Sequence, residues 1–304
     1  MYIRGSKDFQ LKLLITGATG LLGAELCDYT LNNTEFEVYG TGFRNSNSSL
    51  EKNFITLDLT DQERTYSVIS RINPDIIIHT AANSSVDICH SGPETAYRVN
   101  VLGTRNLCVA CQRFDTVLCY LSTDYVFSGK NTPAGGYTEF DTTGPVNVYG
   151  KTKLEGELCV KSLLNKYFIA RTCWLFGKWR KTNFVSSALD AIKNQSEIKV
   201  ITNQVASPTY TRDLAESLIQ LVQTQRYGTY HITNGTDATR DEVVQEIFKL
   251  TKKKTKIKYL KKEELYKGAR PDDSRLNNYV WQLENFEPLR SWRAALKDFV
   301  LKDS

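Results

Sequence analysis

The sequence predicts an α/β fold built on a doubly wound parallel sheet. Three observations carry this: a glycine-rich turn between an apolar strand and a helix, near-continuous apolar strands alternating with helices as far as residue 172, and weaker alternation beyond. The apolar run 11–16 reads as the first strand. Gly17-Ala18-Thr19-Gly20-Leu21-Leu22-Gly23 then turns into a helix with apolar Leu21, Leu22 and Leu26 and polar Glu25 and Asp28. Residues 36–41 and 54–57 read as the second and third strands. Thr60-Asp61-Gln62-Glu63 reads as a capping box opening a helix that Asn73-Pro74 ends. A fourth strand over 75–79, a helix over about 93–114, a fifth strand over 116–121 and a helix opening near 149 complete the pattern.

The division predicted is a Rossmann-type dinucleotide-binding domain over 1–172 and a smaller, mainly substrate-binding α/β region over 173–304. About 211–231 return to the sheet. Beyond Trp174, Pro208, Gly228 and Arg270-Pro271 punctuate shorter elements. A chain of 304 residues with net charge +5 is large enough for a substantial core and only mildly basic. The late lysines 252–254, 256, 258, 261 and 262 have no aromatic residues interleaved at nucleic-acid spacing, so they read as a solvated edge and no nucleic-acid partner is expected. Residues 1–10 have no apolar core, and no run reaches membrane-spanning length, so a cytoplasmic protein is expected. Seven cysteines, an odd number scattered through apparent strands and helices, read as reduced thiols. Cys108-Val109-Ala110-Cys111 lies mid-helix without a second pair and reads as structural rather than as a metal or redox motif.

Two motifs point to chemistry. The glycine turn has the strand before it and the helix after it that a pyrophosphate site requires: glycine lets the backbone approach the phosphates, and the helix N-terminal amides stabilise their charge. Its G-x-x-G-x-x-G spacing departs from the usual dinucleotide pattern. Among 16 tyrosines only Tyr149 has a lysine, Lys153, four places on, and four places on a helix is one face. A nearby ammonium is expected to lower the phenol pKa and make Tyr149 a proton donor to a forming alkoxide; the alternative is a surface ion-pair spacing. Sites in such sheets lie beyond the strands' C-terminal ends, where Ala81-Ala82-Asn83-Ser84-Ser85 and Ser122-Thr123-Asp124-Tyr125 fall. Thr123 is placed either to bond a substrate carbonyl or to cap its own turn.

The chain resembles the extended short-chain dehydrogenases, and within them the dTDP-4-dehydrorhamnose reductase family. The residues that carry this are the glycine turn, Ser122-Thr123-Asp124-Tyr125-Val126-Phe127-Ser128-Gly129, the segment from Tyr149 to Glu157, Arg171-Thr172-Cys173-Trp174-Leu175-Phe176-Gly177, Pro208-Thr209 before Asp213-Leu214-Ala215, and Arg270-Pro271. The resemblance implies reduction of a nucleotide-linked 4-keto-6-deoxysugar, with Thr123, Tyr149 and Lys153 as catalytic triad and Lys153 also on the nicotinamide ribose. It implies Asp58 and Leu59 by the adenine and Ala81 and Ala82 along the cofactor. Asn100 matches the superfamily's helix asparagine, and Ser84, Val86, Tyr125 and Trp174 border the sugar, beside Asp124. Family members dimerise, some with Mg²⁺; neither is read from these residues.

The second strand ends Tyr39-Gly40-Thr41-Gly42-Phe43-Arg44, with an arginine rather than the acidic residue that binds a ribose 2′-hydroxyl. This favours NADP(H) over NAD(H). Arg270, Arg275 and the late lysines are expected to neutralise the substrate diphosphate, with arginine suited to bidentate contact. Bifunctional epimerase-reductases use a cysteine and a histidine near the triad. Here Tyr125-Val126 follow Thr123-Asp124, and the histidines are His79, His90 and His231, so epimerisation is not expected. Phe43-Arg44 after Gly40-Thr41-Gly42 also resembles the regulatory subunit of methionine adenosyltransferase, which implies a non-catalytic, cofactor-binding alternative.

Overall fold

The computed structural model describes residues 10–43, 50, 52–179 and 183–303. Strands β1 (Lys12–Thr16), β2 (Glu37–Gly42), β3 (Phe54–Thr56), β4 (Ile76–His79), β5 (Val117–Thr123) and β6 (Tyr167–Thr172) join a seventh strand, Gly228–His231, in one sheet. Its order from one edge is the seventh strand, β6, β5, β4, β1, β2 and β3, with every pairing parallel. The order reverses at β1, and the crevice at such a reversal is where α/β sheets bind ligands.

Because strand side chains alternate between faces, a two-sided sheet needs apolar residues at every position. Leu13, Ile15, Ile76, Ile78 and Cys119 pack on one face with helix α1 (Leu21–Asn33) and the helix Thr211–Val222. Leu14, Ile77, Leu118 and Tyr120 pack on the other with helices α2 (Gln62–Ile72), α5 (Gly103–Phe114) and α6 (Val148–Leu163). Cys108 and Cys111 belong to this second core, and burial pushes both thiols up. A separate core joins Phe176, Val200, Val244 and Trp292 around the helices Phe184–Asn194, Arg240–Thr251 and Trp292–Asp298. The strand Lys256–Leu260 pairs parallel with Glu197–Ile201 at its edge.

Two local readings change. The α2 cap is Asp61, whose carboxylate accepts from the Arg64 amide at 2.9 Å; Thr60 is held by Asp58 instead. The helix expected over 93–114 consists of helix α4 (Pro93–Tyr97), a wide π turn over Arg98–Leu102 and α5, preceded by helix α3 (Val86–Ser91). The wide turn presents Asn100 inward. Its amide accepts from the Asn83 N–H at 2.7 Å and donates to the Asn83 carbonyl and the Thr152 hydroxyl at 3.1 and 2.9 Å.

Candidate active site

The glycine turn is shaped for close backbone approach. Gly17 has φ +72°, and a Cβ there would lie 2.7 Å from the Ala81 nitrogen, so only glycine lets the turn meet the loop after β4. Helices α2, α3 and α6 have side-chain caps from Asp61, Ser85 and Asn147, whereas α1 has none and carries no acidic residue in its first turn. The first-turn amides of Leu21, Leu22 and Gly23 are therefore available to an anion, while the Gly20 amide donates to the Gly17 carbonyl at 2.8 Å. Thr19 is exposed beside the end of β2, and Ala81 and Ala82 are half-buried across the turn. Asp58 is exposed; Leu59 is buried, with its carbonyl accepting from Asn106 at 2.9 Å. Arg44 lies outside the described residues. These features fit a dinucleotide diphosphate.

The other half of the site grows from the end of β5 and the start of α6. Asn147 caps α6 by accepting from the Gly150 amide at 2.7 Å, and its amide donates to the Ala269 carbonyl at 2.9 Å. At Gly150 a Cβ would sit 2.1 Å from the Tyr125 carbonyl oxygen, so glycine lets α6 press against the loop after β5. That packing brings the Tyr149 phenol close enough to Thr123 for the two hydroxyls to influence each other. Thr123 also donates to Asp124 Oδ1 at 3.0 Å and accepts from the Tyr125 amide at 3.2 Å, so it is both turn cap and site residue. The Tyr125 and Tyr149 rings meet edge to face, 6.1 Å apart.

The expected electrostatics of the pair is reversed. Burial raises the Tyr149 pKa, with the Thr123 hydrogen bond pulling the other way and the Asp124 charge adding to the rise. Burial pushes the Lys153 ammonium down to about 7, opposed by Glu157 one turn on. The two residues stand one turn apart on α6, but neither is among the causes of the other's shift, and removal from water dominates both. Glu157 is itself held by a bidentate Arg171, at 2.9 and 2.7 Å, and by the Ser122 hydroxyl at 2.5 Å.

On the substrate side, Asp124 is fully buried. Its Oδ2 accepts from Ser274, and burial lifts it to about 7 against the Ser274 and Thr123 hydrogen bonds. Ser84 is exposed, and Val86 is buried against Gly268 at the start of α3. Trp174 has a left-handed backbone, φ +42°. The two arginines expected at a diphosphate already have carboxylates. Arg270 donates to both oxygens of Asp87, at 3.2 and 2.9 Å, and Arg275 is paired with Asp273 and Asp237. The sequence reading missed Arg240, whose guanidinium lies 3.8 Å from the centre of the Trp174 ring.

The histidines and cysteines occupy other roles. His79 bonds Thr16 and Thr104 inside the sheet, and burial with nearby Lys153 pushes it down to about 3. His231, buried beside Arg171, is likewise pushed down to about 3, while His90 is exposed. Cys89 comes within electrostatic range of Tyr149, which its sequence position did not reveal; it donates to the Asn83 carbonyl at 3.3 Å and burial lifts it to about 11. Among the described residues no group of His, Cys, Asp and Glu is placed to hold a metal, and no helix is long and apolar enough to cross a membrane.

A family model described as the RmlD substrate binding domain matches residues 11–304. The chain belongs to the dTDP-4-dehydrorhamnose reductase family. It is 38% identical over 228 residues to dTDP-4-dehydrorhamnose reductase of Aggregatibacter actinomycetemcomitans, covering 73% of each chain. It is 35% identical to dTDP-4-dehydrorhamnose reductase of Streptomyces griseus, over 94% of this chain and 91% of that one. The crystal structure of dTDP-4-dehydrorhamnose reductase from Bacillus anthracis in complex with NADP superposes with a TM-score of 0.88 at 37% identity, covering 97% of this chain and all of that one. The likeness to these reductase family members spans both the sheet and the residues beyond it.

Proposed function

We propose that this chain reduces the 4-keto group of a dTDP-linked 4-keto-6-deoxysugar with NADPH, in the making of a deoxysugar precursor. The observation that carries the proposal is the seating of buried Tyr149 against the Thr123–Tyr125 loop, one helical turn from Lys153. The named relatives and the NADP in the B. anthracis structure support the substrate class and the cofactor.

Residues 17–23 would hold the cofactor diphosphate, with Ala81 and Ala82 along its length, Asp58 and Leu59 at the adenine, and Arg44 at the 2′-phosphate. Residues beyond 172, apart from the strand Gly228–His231 and the helix before it, would hold the sugar nucleotide. NADPH, when bound, supplies a hydride to the carbonyl carbon. Thr123, turning its hydroxyl proton from Asp124, bonds the carbonyl oxygen, and Tyr149 delivers its phenolic proton to that oxygen as alkoxide charge forms. A phenol whose pKa is raised by burial keeps its proton until such a base appears. Lys153 then stabilises the phenolate left behind, and Asn100 positions Thr152 beside it.

Loss of NADPH absorbance, measured across nucleotide-linked 4-keto-6-deoxysugars with thymidine, uridine or guanosine bases, tests this. Turnover with the dTDP sugar is expected. Cofactor binding without turnover on any sugar would overturn the proposal in favour of a non-catalytic role. Size-exclusion chromatography decides the homodimer that the family resemblance implies.

A further inference from the structure

Three basic side chains near the catalytic loop have their counter-charges within the chain. Arg270 is chelated by Asp87 and stacked 3.6 Å over Tyr266, Arg275 is bound by Asp273, and Lys262 is bound by Asp272. Arg240 has none of this. Its Nε is shielded from solvent and has no acceptor, and among the described residues no carboxylate forms an ion pair with it. The acid in its field is Asp124, whose two oxygens are taken by Thr123 and Ser274.

The guanidinium is nevertheless rigidly presented. Its centre lies 3.8 Å from the Trp174 ring centre and 4.3 Å from that of Phe184. Trp174 is held in its left-handed conformation with its carbonyl accepting from the Thr209 amide at 3.3 Å. Arg240 opens the helix Arg240–Thr251 behind a complete Thr239/Glu242 capping box, and Ala238–Thr239 pair with Val205–Ala206. Stacking satisfies the faces of a guanidinium and leaves its N–H edge to bond. The buried Nε has no acceptor and the stacked guanidinium no paired carboxylate, so its N–H edge favours an anion.

Asp124, Tyr125, Tyr266 and Arg270 all act on this charge, which places it between the catalytic loop and the C-terminal region. We infer that Arg240, stacked on Trp174, is the residue that binds the diphosphate of the nucleotide sugar and so fixes how far the sugar reaches toward Tyr149. A planar guanidinium edge matches two phosphate oxygens, which an ammonium does not. The inference rests on the nucleotide-sugar reading of the site.

Calorimetric titration with dTDP tests it on the full chain, without turnover. Arg240→Gln is expected to weaken dTDP by about tenfold to a hundredfold, the worth of a charge-assisted hydrogen bond or two. NADP⁺ affinity should stay unchanged, and the salt dependence of dTDP binding should become shallower. With substrate, KM should rise far more than kcat falls. Arg240→Lys, which keeps the charge and most of the stem, is expected to weaken dTDP severalfold and serves if the glutamine variant does not fold. Wild-type dTDP affinity in a folded variant overturns the assignment and leaves Arg240 as packing for Trp174. Failure of the wild-type protein to bind dTDP, UDP or GDP strikes the nucleotide-sugar reading itself, and this inference with it.

Discussion

The ammonium nitrogen of Lys153 lies 3.9 Å from the centre of the Tyr120 ring, and the Tyr120 hydroxyl donates to the Lys153 carbonyl at 3.2 Å. A β5 residue three places before Thr123 thus seats the lysine that follows Tyr149. The cation–π contact favours the ammonium, yet burial still brings it from 10.5 to about 7. In the unfolded chain the lysine holds its proton up to 10.5, so between about 7 and 10.5 the unfolded state binds more protons. Stability from this group is complete above 10.5 and lost as pH falls through about 7. Chemical denaturation of the wild type and Lys153→Met should give a wild-type-minus-variant stability that rises between pH 7 and 9.5, by a few kcal/mol at most. A flat difference would mean that the ammonium is not desolvated.

Asp124 has the opposite sign. Its folded pKa is raised from 3.8 to about 7, so its contribution is complete below 3.8 and is lost as pH rises through about 7. Asp124→Asn removes the buried charge and should gain unfolding free energy relative to the wild type from pH 4 to pH 8, on the order of 4 kcal/mol at most, by chemical denaturation. Equal offsets at both pH values would place the carboxylate in water.

Tyr149→Phe removes the transferred proton and little else. The expected fall in kcat is about two to four orders of magnitude, with NADPH affinity nearly unchanged. Rapid-quench turnover and cofactor titration separate the two effects. Near-normal turnover would remove Tyr149 from the chemistry.

Arg44→Ala should weaken NADPH much more than NADH if Arg44 reads the 2′-phosphate, as the sequence after β2 suggests. Fluorescence titration with each cofactor decides it; equal losses mean that the arginine is merely solvated.

The parts of this site legible in the sequence are those made by near neighbours. The turn at Gly17, the apolar strands and the Tyr149/Lys153 spacing need only local geometry, and all lie where the sequence placed them. What escaped reading depends on chain segments far apart or on burial. Arg270 looked free because its partner, Asp87, stands 183 residues away. Arg240 looked ordinary because Trp174 and Asp124 reach it only through the packing of the C-terminal region. Helical spacing put Tyr149 and Lys153 one turn apart on α6, where they lie, but spacing carries no dielectric, so the sign of the tyrosine shift came out wrong.

Inverting C3 and C5 of a 4-keto sugar requires an acid and a base on opposite faces of the ring, each able to change protonation near neutral pH. Cys89, the thiol near Tyr149, is bonded to a carbonyl and pushed up to about 11. Cys173 donates to the Ser207 carbonyl at 2.9 Å, and burial holds it well above its ordinary value. His79 and His231 are buried and pushed down to about 3, so neither takes a proton near neutrality. Asp124 and Lys153 titrate in range, but the Asp124 oxygens bond Thr123 and Ser274 and the Lys153 ammonium is seated on the Tyr120 ring. Incubated in D₂O with cofactor-free protein, a dTDP-4-keto-6-deoxyhexose should therefore keep its C3 and C5 protons at the no-enzyme rate by NMR. Protein-dependent deuterium at either carbon would overturn this, and its loss in Asp124→Asn would name the base.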